Sequence, residues 1–199
     1  ILSKVIFPHS LGVFYQGLTQ YLGFKNYGDE YKVMGLAAYG EDVYSNKLKE
    51  LIKIKKNGKF ELNLKYFNHY KNKLEYNWDG GSPKFDDLCE NKKVYECLNL
   101  PERIIGQEIN QDHKNLANSI QLVYEKLFFN IINYSEKFSS NSNLTLSGGC
   151  SMNSLANGKI YENSNYKKIY IPPSSGDAGG AIGSALFHYF KVKNSKKHF

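Results

Sequence analysis

The segment Leu144-Thr-Leu-Ser-Gly-Gly-Cys-Ser-Met-Asn153 places small and polar groups where a strand would end and a helix begin. Leu144 and Leu146 alternate with hydroxyl residues as a short strand does, and Gly148-Gly149 then break it. A strand delivered into a Gly-Gly turn and a helix start brings backbone N–H groups close to a phosphate or a ribose. No Cβ stands in the way, and the helix end carries partial positive charge. The pattern then recurs: Lys168 to Ile171 reads as a strand, Pro172 to Gly176 as a turn, and Asp177-Ala-Gly-Gly180 as the start of a helix of small apolar residues. Two such units in succession imply one cleft between them; the plainer alternative is two tight turns in an ordinary α/β domain.

Two other places carry groups able to do chemistry. His9 follows Pro8 and precedes a helical pattern, where it serves either as a ligand or base or as a half-buried structural donor. In Gly28-Asp-Glu-Tyr-Lys-Val-Met-Gly-Leu-Ala-Ala-Tyr-Gly40, Glu30 and Lys32 stand either on the wall of a polar cleft or at a solvated helix end. Gly35 within that helix costs about 1 kcal/mol against alanine, which is carried most readily where a backbone or ligand approaches closely.

The elements that must position these groups follow from apolar spacing. Leu11, Phe14, Tyr15, Leu18, Tyr21 and Leu22 recur at helical intervals, so residues 10–22 read as an amphipathic helix capped by Ser10 and stopped by Gly23. Lys47 to Ile54 reads as a short surface helix, Asn57-Gly58 as a hairpin turn, and Phe60, Leu62 and Leu64 as an alternating strand. Tyr66 to Leu100 is rich in aromatics, lysine and asparagine, with Gly80-Gly81 and Pro83 as turn signals; it reads as a peripheral insertion. Asp112 to Phe138 is the longest regular stretch, a core helix packed against the sheet that ends in the Gly-Gly turn. Asp112 or its neighbours cap it, and Gln121 interrupts its apolar face. Ala178 to Phe190 forms a closing helix, followed by a lysine-rich, linker-like tail at 191–199.

Composition narrows the function classes. The chain has 199 residues, 41% hydrophobic and 15% aromatic, enough for one substantial core or two small ones. It opens on Ile1 inside a patterned stretch, as a piece of a longer protein would. No apolar run approaches the ~20 residues needed to span a bilayer. Three cysteines without CxxC spacing argue for a reducing, cytoplasmic setting and against a zinc site or disulfide scaffold. The net charge is +7, yet Arg103 is the only arginine. Nucleic-acid readers lean on the guanidinium fork, so nucleic acid is an unfavoured partner and a solvated lysine surface the better account.

Four segments taken in order resemble one known family. They are Pro8-His-Ser-Leu-Gly-Val-Phe-Tyr15 with Thr19 and Tyr21-Leu-Gly23, the Gly28–Gly40 segment, Ser147-Gly-Gly-Cys-Ser-Met-Asn-Ser-Leu-Ala-Asn-Gly-Lys159, and Pro172-Pro-Ser-Ser-Gly-Asp-Ala-Gly-Gly-Ala-Ile-Gly-Ser-Ala185. Together they are similar to the O-carbamoyltransferases of nodulation-factor and antibiotic-tailoring chemistry. That resemblance implies an α/β fold: the second lobe of an actin/hexokinase-like (ribonuclease-H-like) ATPase domain, with a small peripheral α+β insertion around residues 43–100. It implies ATP, a divalent metal of iron type (or Mg or Mn), carbamoyl phosphate, a carbamoyl adenylate intermediate and a small hydroxyl acceptor. It places Gly148, Gly149 and Asn153 against the nucleotide, with Glu30 and Gly179 beside it. Asp177 becomes a metal ligand. His9 and Lys32 are the catalytic candidates from the residues themselves.

The same resemblance implies parts that this sequence lacks: an upstream lobe with a phosphate loop and a histidine pair, and a C-terminal adenylate-forming domain. His9, His69, His113, His188 and His198 do not reproduce the pair's spacing. The chain alone is therefore expected to fold without transferring carbamoyl groups. Two other functions remain open: a sugar kinase or threonylcarbamoyl-transfer protein of the same fold, and a non-enzymatic basic binding module.

Overall fold

A computed structural model describes residues 1–71, 74–78, 81 and 83–193, which divide into two compact units, Ile1–Ser140 and residues 141 onward. The expected Gly80 turn signal, His198 and the tail beyond residue 193 lie outside the described residues.

The first unit is helical with two small hairpins. Helix α1 (Leu11–Tyr21) begins at Ser10, whose hydroxyl accepts the Val13 N–H at 3.2 Å. Phe14, Leu18, Tyr21 and Leu22 are fully buried along one face. Each such side chain contributes roughly 1.5–3 kcal/mol of burial. Helix α2 (Glu30–Ala37) follows, then the short α3 (Ser45–Leu48). The expected surface helix over 47–54 is corrected here: α3 stops at Leu48, and Ile52–Ile54 form strand β1. β-Branched Ile52 and Ile54 pair with Leu62 and Phe60 of β2 (Phe60–Leu62) across the Asn57-Gly58 turn, where both residues hold positive φ. Leu64 leaves the strand for a 3-10 turn, Leu64–Tyr66.

Residues 66–100 pack on the body of the first unit. A small hairpin pairs β3 (Tyr76–Asn77) with β4 (Lys84–Phe85), and helix α4 (Asn91–Leu98) follows. Phe67, Leu88, Cys89, Val94, Leu98 and Leu100 are all buried. A Cβ on Gly17 would stand 2.6 Å from the Cys89 sulfur, so α1 packs directly on this segment. Burial also pushes the Cys89 thiol well above its ordinary pKa, leaving it inert.

Helix α5 (Gln111–Ser135) is the spine of the unit. Its cap is Asn110 rather than Asp112: the Asn110 side chain accepts the His113 N–H, and His113 Nδ1 accepts the Asn110 N–H, both at 3.1 Å. Helices α2, α3 and α1 of the same unit cover the apolar face that the sequence reading assigned to a sheet. Gln121 is buried among them, accepting the Tyr15 hydroxyl at 2.9 Å and donating to Glu125 at 2.9 Å. This satisfied polar chain explains the break in the apolar pattern.

In the second unit, β5 (Asn143–Thr145) pairs in parallel with β6 (Lys168–Tyr170), Leu144 opposite Ile169. A parallel pair needs a crossover, supplied by α6 (Ser154–Gly158) and α7 (Ile160–Asn163). Ala156, Ile160 and Tyr166 are its buried apolar side chains. Helix α8 (Gly179–Lys193) ends the described chain, with Ile182, Leu186 and Phe187 exposed. Among the described residues, no helix is long and apolar enough to cross a membrane.

Candidate functional site

Because β5 and β6 run parallel, the turns that follow them leave the same end of the pair. The first turn is pinned to the second: the Gly148 N–H donates to the Ser175 carbonyl at 2.7 Å, and the Ser147 hydroxyl reaches the same oxygen at 3.4 Å. The hypothetical Cβ of Gly176 lies 3.4 Å from Met152 Sδ, a second point of contact between the turns. Five of the residues singled out from the sequence, Gly148, Gly149, Asn153, Asp177 and Gly179, fall in these turns.

Their individual roles differ. Gly148 has φ +97° and ψ 164°, a conformation essentially reserved for glycine. A Cβ on Gly148 or Gly149 would meet nothing within 4 Å, so the backbone is bare to a ligand. Gly149 opens a 3-10 turn (Gly149–Met152), and the first N–H of such a turn has no acceptor within it. Asn153 is buried, and its side-chain oxygen caps α6 by accepting the Ala156 N–H at 3.0 Å. Gly179 answers to the turn itself: its Cβ would stand 2.3 Å from the Ser174 carbonyl. Ser174 holds φ +58°, which swings that carbonyl inward, and neither Ser174 nor Ser175 carries a sequence signal for this duty.

The start of α8 is less open to an anion than its sequence implies. The N–H groups of Gly179, Gly180 and Ala181 already bond to the carbonyls of Gly176, Asp177 and Ala178, at 3.0, 3.1 and 3.3 Å. The helix end therefore favours negative charge through its dipole more than through free donors. Asp177 is exposed just before it. A carboxylate suits Mg, Mn or ferrous iron, but a single one is not a coordination shell. Among the described residues, no group of three His, Cys, Asp or Glu side chains could hold an ion. A metal at Asp177 therefore requires ligands from beyond them.

The remaining candidates lie in the first unit and in separate surroundings. His9 Nδ1 accepts the Leu62 N–H at 3.2 Å, tying the ring to β2. That leaves the Nε2 edge of the ring as the one to meet a ligand. Lys32 pairs with buried Asp29 at 2.7 Å and lies 5.6 Å from the Phe24 ring centroid. Glu30 opens α2, and burial raises its carboxyl above the ordinary carboxylate range, with the Asp29 charge adding to the effect. Gly35 is exposed, and a methyl group placed on it would meet nothing within 4 Å. The glycine set by packing is instead Gly40, whose Cβ would meet the Lys114 carbonyl at 2.0 Å.

The second unit thus has the form of a strand–crossover–strand unit with glycine turns at its carboxyl end. Comparison with known proteins is more specific. The family model described as Carbamoyltransferase N-terminus matches residues 1–186, and the chain belongs to that family. It is 39% identical over 184 residues to the uncharacterized protein sll1178 of Synechocystis, covering 92% of this chain and 28% of that protein. It is 30% identical over 189 residues to nodulation protein NolO of Bradyrhizobium diazoefficiens, covering 94% and 30%. To nodulation protein NolNO of Sinorhizobium fredii it is 28% identical over 183 residues, covering 90% and 23%. The chain therefore spans less than a third of the length of these relatives.

Proposed function

We propose that this chain is the ATP- and metal-binding lobe of an actin-like ATPase domain within an O-carbamoyltransferase. The whole enzyme would move a carbamoyl group from carbamoyl phosphate, by way of carbamoyl adenylate, to a hydroxyl of a small acceptor such as a sugar. One observation carries the reading: both glycine turns leave the carboxyl ends of parallel neighbouring strands and are hydrogen-bonded to each other, in a chain of the carbamoyltransferase family. Open α/β sheets take their ligands at that end.

In this reading the bare backbone at Gly148 and Gly149 lies against the nucleotide. Asn153 and Gly179 hold the turns in shape beneath it, Asn153 by capping α6 and Gly179 by admitting the Ser174 carbonyl. Asp177 gives one oxygen ligand to a divalent ion, whose charge would offset that of the phosphates; the other ligands come from the rest of the enzyme. Transfer forms a bond from the acceptor oxygen to the carbamoyl carbon, breaks that carbon's bond to the leaving oxygen, and releases the hydroxyl proton. Through its Nε2 edge His9 orients a substrate oxygen, and Lys32 supplies positive charge. The upstream lobe and an adenylate-forming domain complete the enzyme. The three cysteines form no disulfide among the described residues, which suits a reducing compartment, and we place the enzyme in the cytoplasm.

The test uses the full-length protein with 14C-carbamoyl phosphate, ATP and sugar acceptors. Label appearing as a carbamate ester on the acceptor supports the reading. Transfer of the γ-phosphate of ATP to the acceptor, without carbamoyl label, assigns a sugar kinase of the same fold instead.

A further inference from the structure

Where α1 ends, Gly23 turns the chain at φ +78°. A Cβ there would stand 2.6 Å from the Arg103 carbonyl and 2.7 Å from its Nη1. Glycine is what lets the sole arginine of the chain close against this turn. Arg103 is then held firmly: Nη1 donates to the Leu22 carbonyl at 2.9 Å, Nε to the Gln107 carbonyl at 3.0 Å, and the guanidinium lies 5.1 Å from the Phe24 ring centroid. Lys32 Nζ lies 5.6 Å from the same centroid. The Tyr27 N–H bonds to the Pro83 carbonyl at 2.8 Å, and Asn26 bridges to Lys84, so β4 is fastened beside this loop.

The result is a hollow of about 290 Å³ lined by Phe24, Lys25, Lys32, Lys84 and Arg103, with Asp29 the acidic member. Lys32 is paired with Asp29, and Lys25 with Asp87 at 2.6 Å. Among the described residues, Lys84 and Arg103 have no carboxylate partner. Each paired ammonium keeps N–H donors beyond its ion pair, and the guanidinium keeps those not spent on Leu22 and Gln107. Two uncompensated cations beside two half-used ones repel one another, and a small anion among them reverses the sign of that energy. Charge-assisted hydrogen bonds from fixed donors are the strong kind, and a guanidinium fork matches phosphate geometry.

We propose that this hollow binds a phosphate group, either free phosphate or the phosphate of a small ester or anhydride. Arg103 and Lys84 neutralise it, Lys25 and Lys32 donate beside their own ion pairs, and Phe24 forms an apolar floor. The proposal concerns residues of the first unit and does not depend on the reading of the glycine turns.

Equilibrium dialysis of the full-length protein against radiolabelled inorganic phosphate tests it. The expected result is saturable binding that weakens as salt rises and whose dissociation constant increases tenfold or more in Lys84→Gln. Lys93→Gln, at a cavity formed with Glu50 and Cys97, should match the parent. Displacement by carbamoyl phosphate at lower concentration than by phosphate identifies the bound source as the anhydride; the reverse order identifies free phosphate. Absence of saturable binding overturns the proposal. So does binding that Lys84→Gln and Lys25→Gln both leave unchanged in correctly folded protein.

Discussion

The Gly148 N–H donates to the Ser175 carbonyl at 2.7 Å, so the turn after β5 and the turn after β6 share a backbone hydrogen bond. That bond requires Gly148 to hold φ +97° and ψ 164°. Alanine in that conformation costs about 1–3 kcal/mol. Gly148→Ala is therefore expected to lower the unfolding free energy by that amount, read as a lower urea midpoint. Gly149→Ala, with no positive φ and open space around its Cβ, should leave the midpoint nearly unchanged. Equal losses from the two changes would contradict the described turn.

Two glycines of the Gly28–Gly40 segment behave oppositely. Gly35 is exposed within α2 with nothing near its Cβ position. Gly35→Ala should stabilise the protein by roughly 0.5–1 kcal/mol through helix propensity and the unfolded chain. Gly40→Ala would drive a methyl group to 2.0 Å from the Lys114 carbonyl on α5, and is expected to cost about 1–3 kcal/mol or more. Thermal unfolding of the two variants side by side measures the contrast.

His113 makes stability depend on pH. It is buried, and its Nδ1 accepts the Asn110 N–H in the capping box of α5. Burial, then the nearby Arg103 charge, hold the imidazole below its ordinary value of 6.5. The folded value is depressed, so the stabilisation is complete above the unfolded value and is lost as pH falls through the lower folded one. His113→Gln keeps an acceptor at the third helical position and removes the titration. Between pH 7.5 and 5 the parent should lose more thermal stability than the variant; parallel curves would refute the assignment.

How much could be read from sequence varied with the physics of each segment. Helices α1 and α5 were legible because Phe14, Leu18, Leu116 and Ile120 recur at helical spacing, and the Asn57-Gly58 turn because both residues tolerate positive φ. The 66–100 region was not, because Leu88, Cys89 and Leu98 become core only through distant partners such as Gly17, and no local period announces that. Within the candidate site, glycine spacing located the turns. It could not show that Asn153 is spent on a helix cap, or that Gly179 is demanded by the Ser174 carbonyl. Asparagine caps and ligand-binding asparagines look alike in a sequence. The hollow around Arg103 was hidden for another reason: its cations come from α2, β4 and two loops.

In the proposed reading the paired glycine turns face a nucleotide and Asp177 holds the metal. Titration of the full-length protein with an ATP analogue and Mn, comparing the parent with Asp177→Ala, tests it most directly. The expected result is loss of Mn binding by tenfold or more, a weaker affinity for the analogue in the presence of metal, and an unchanged unfolding midpoint. Unchanged metal and nucleotide binding in Asp177→Ala would mean that Asp177 holds no metal.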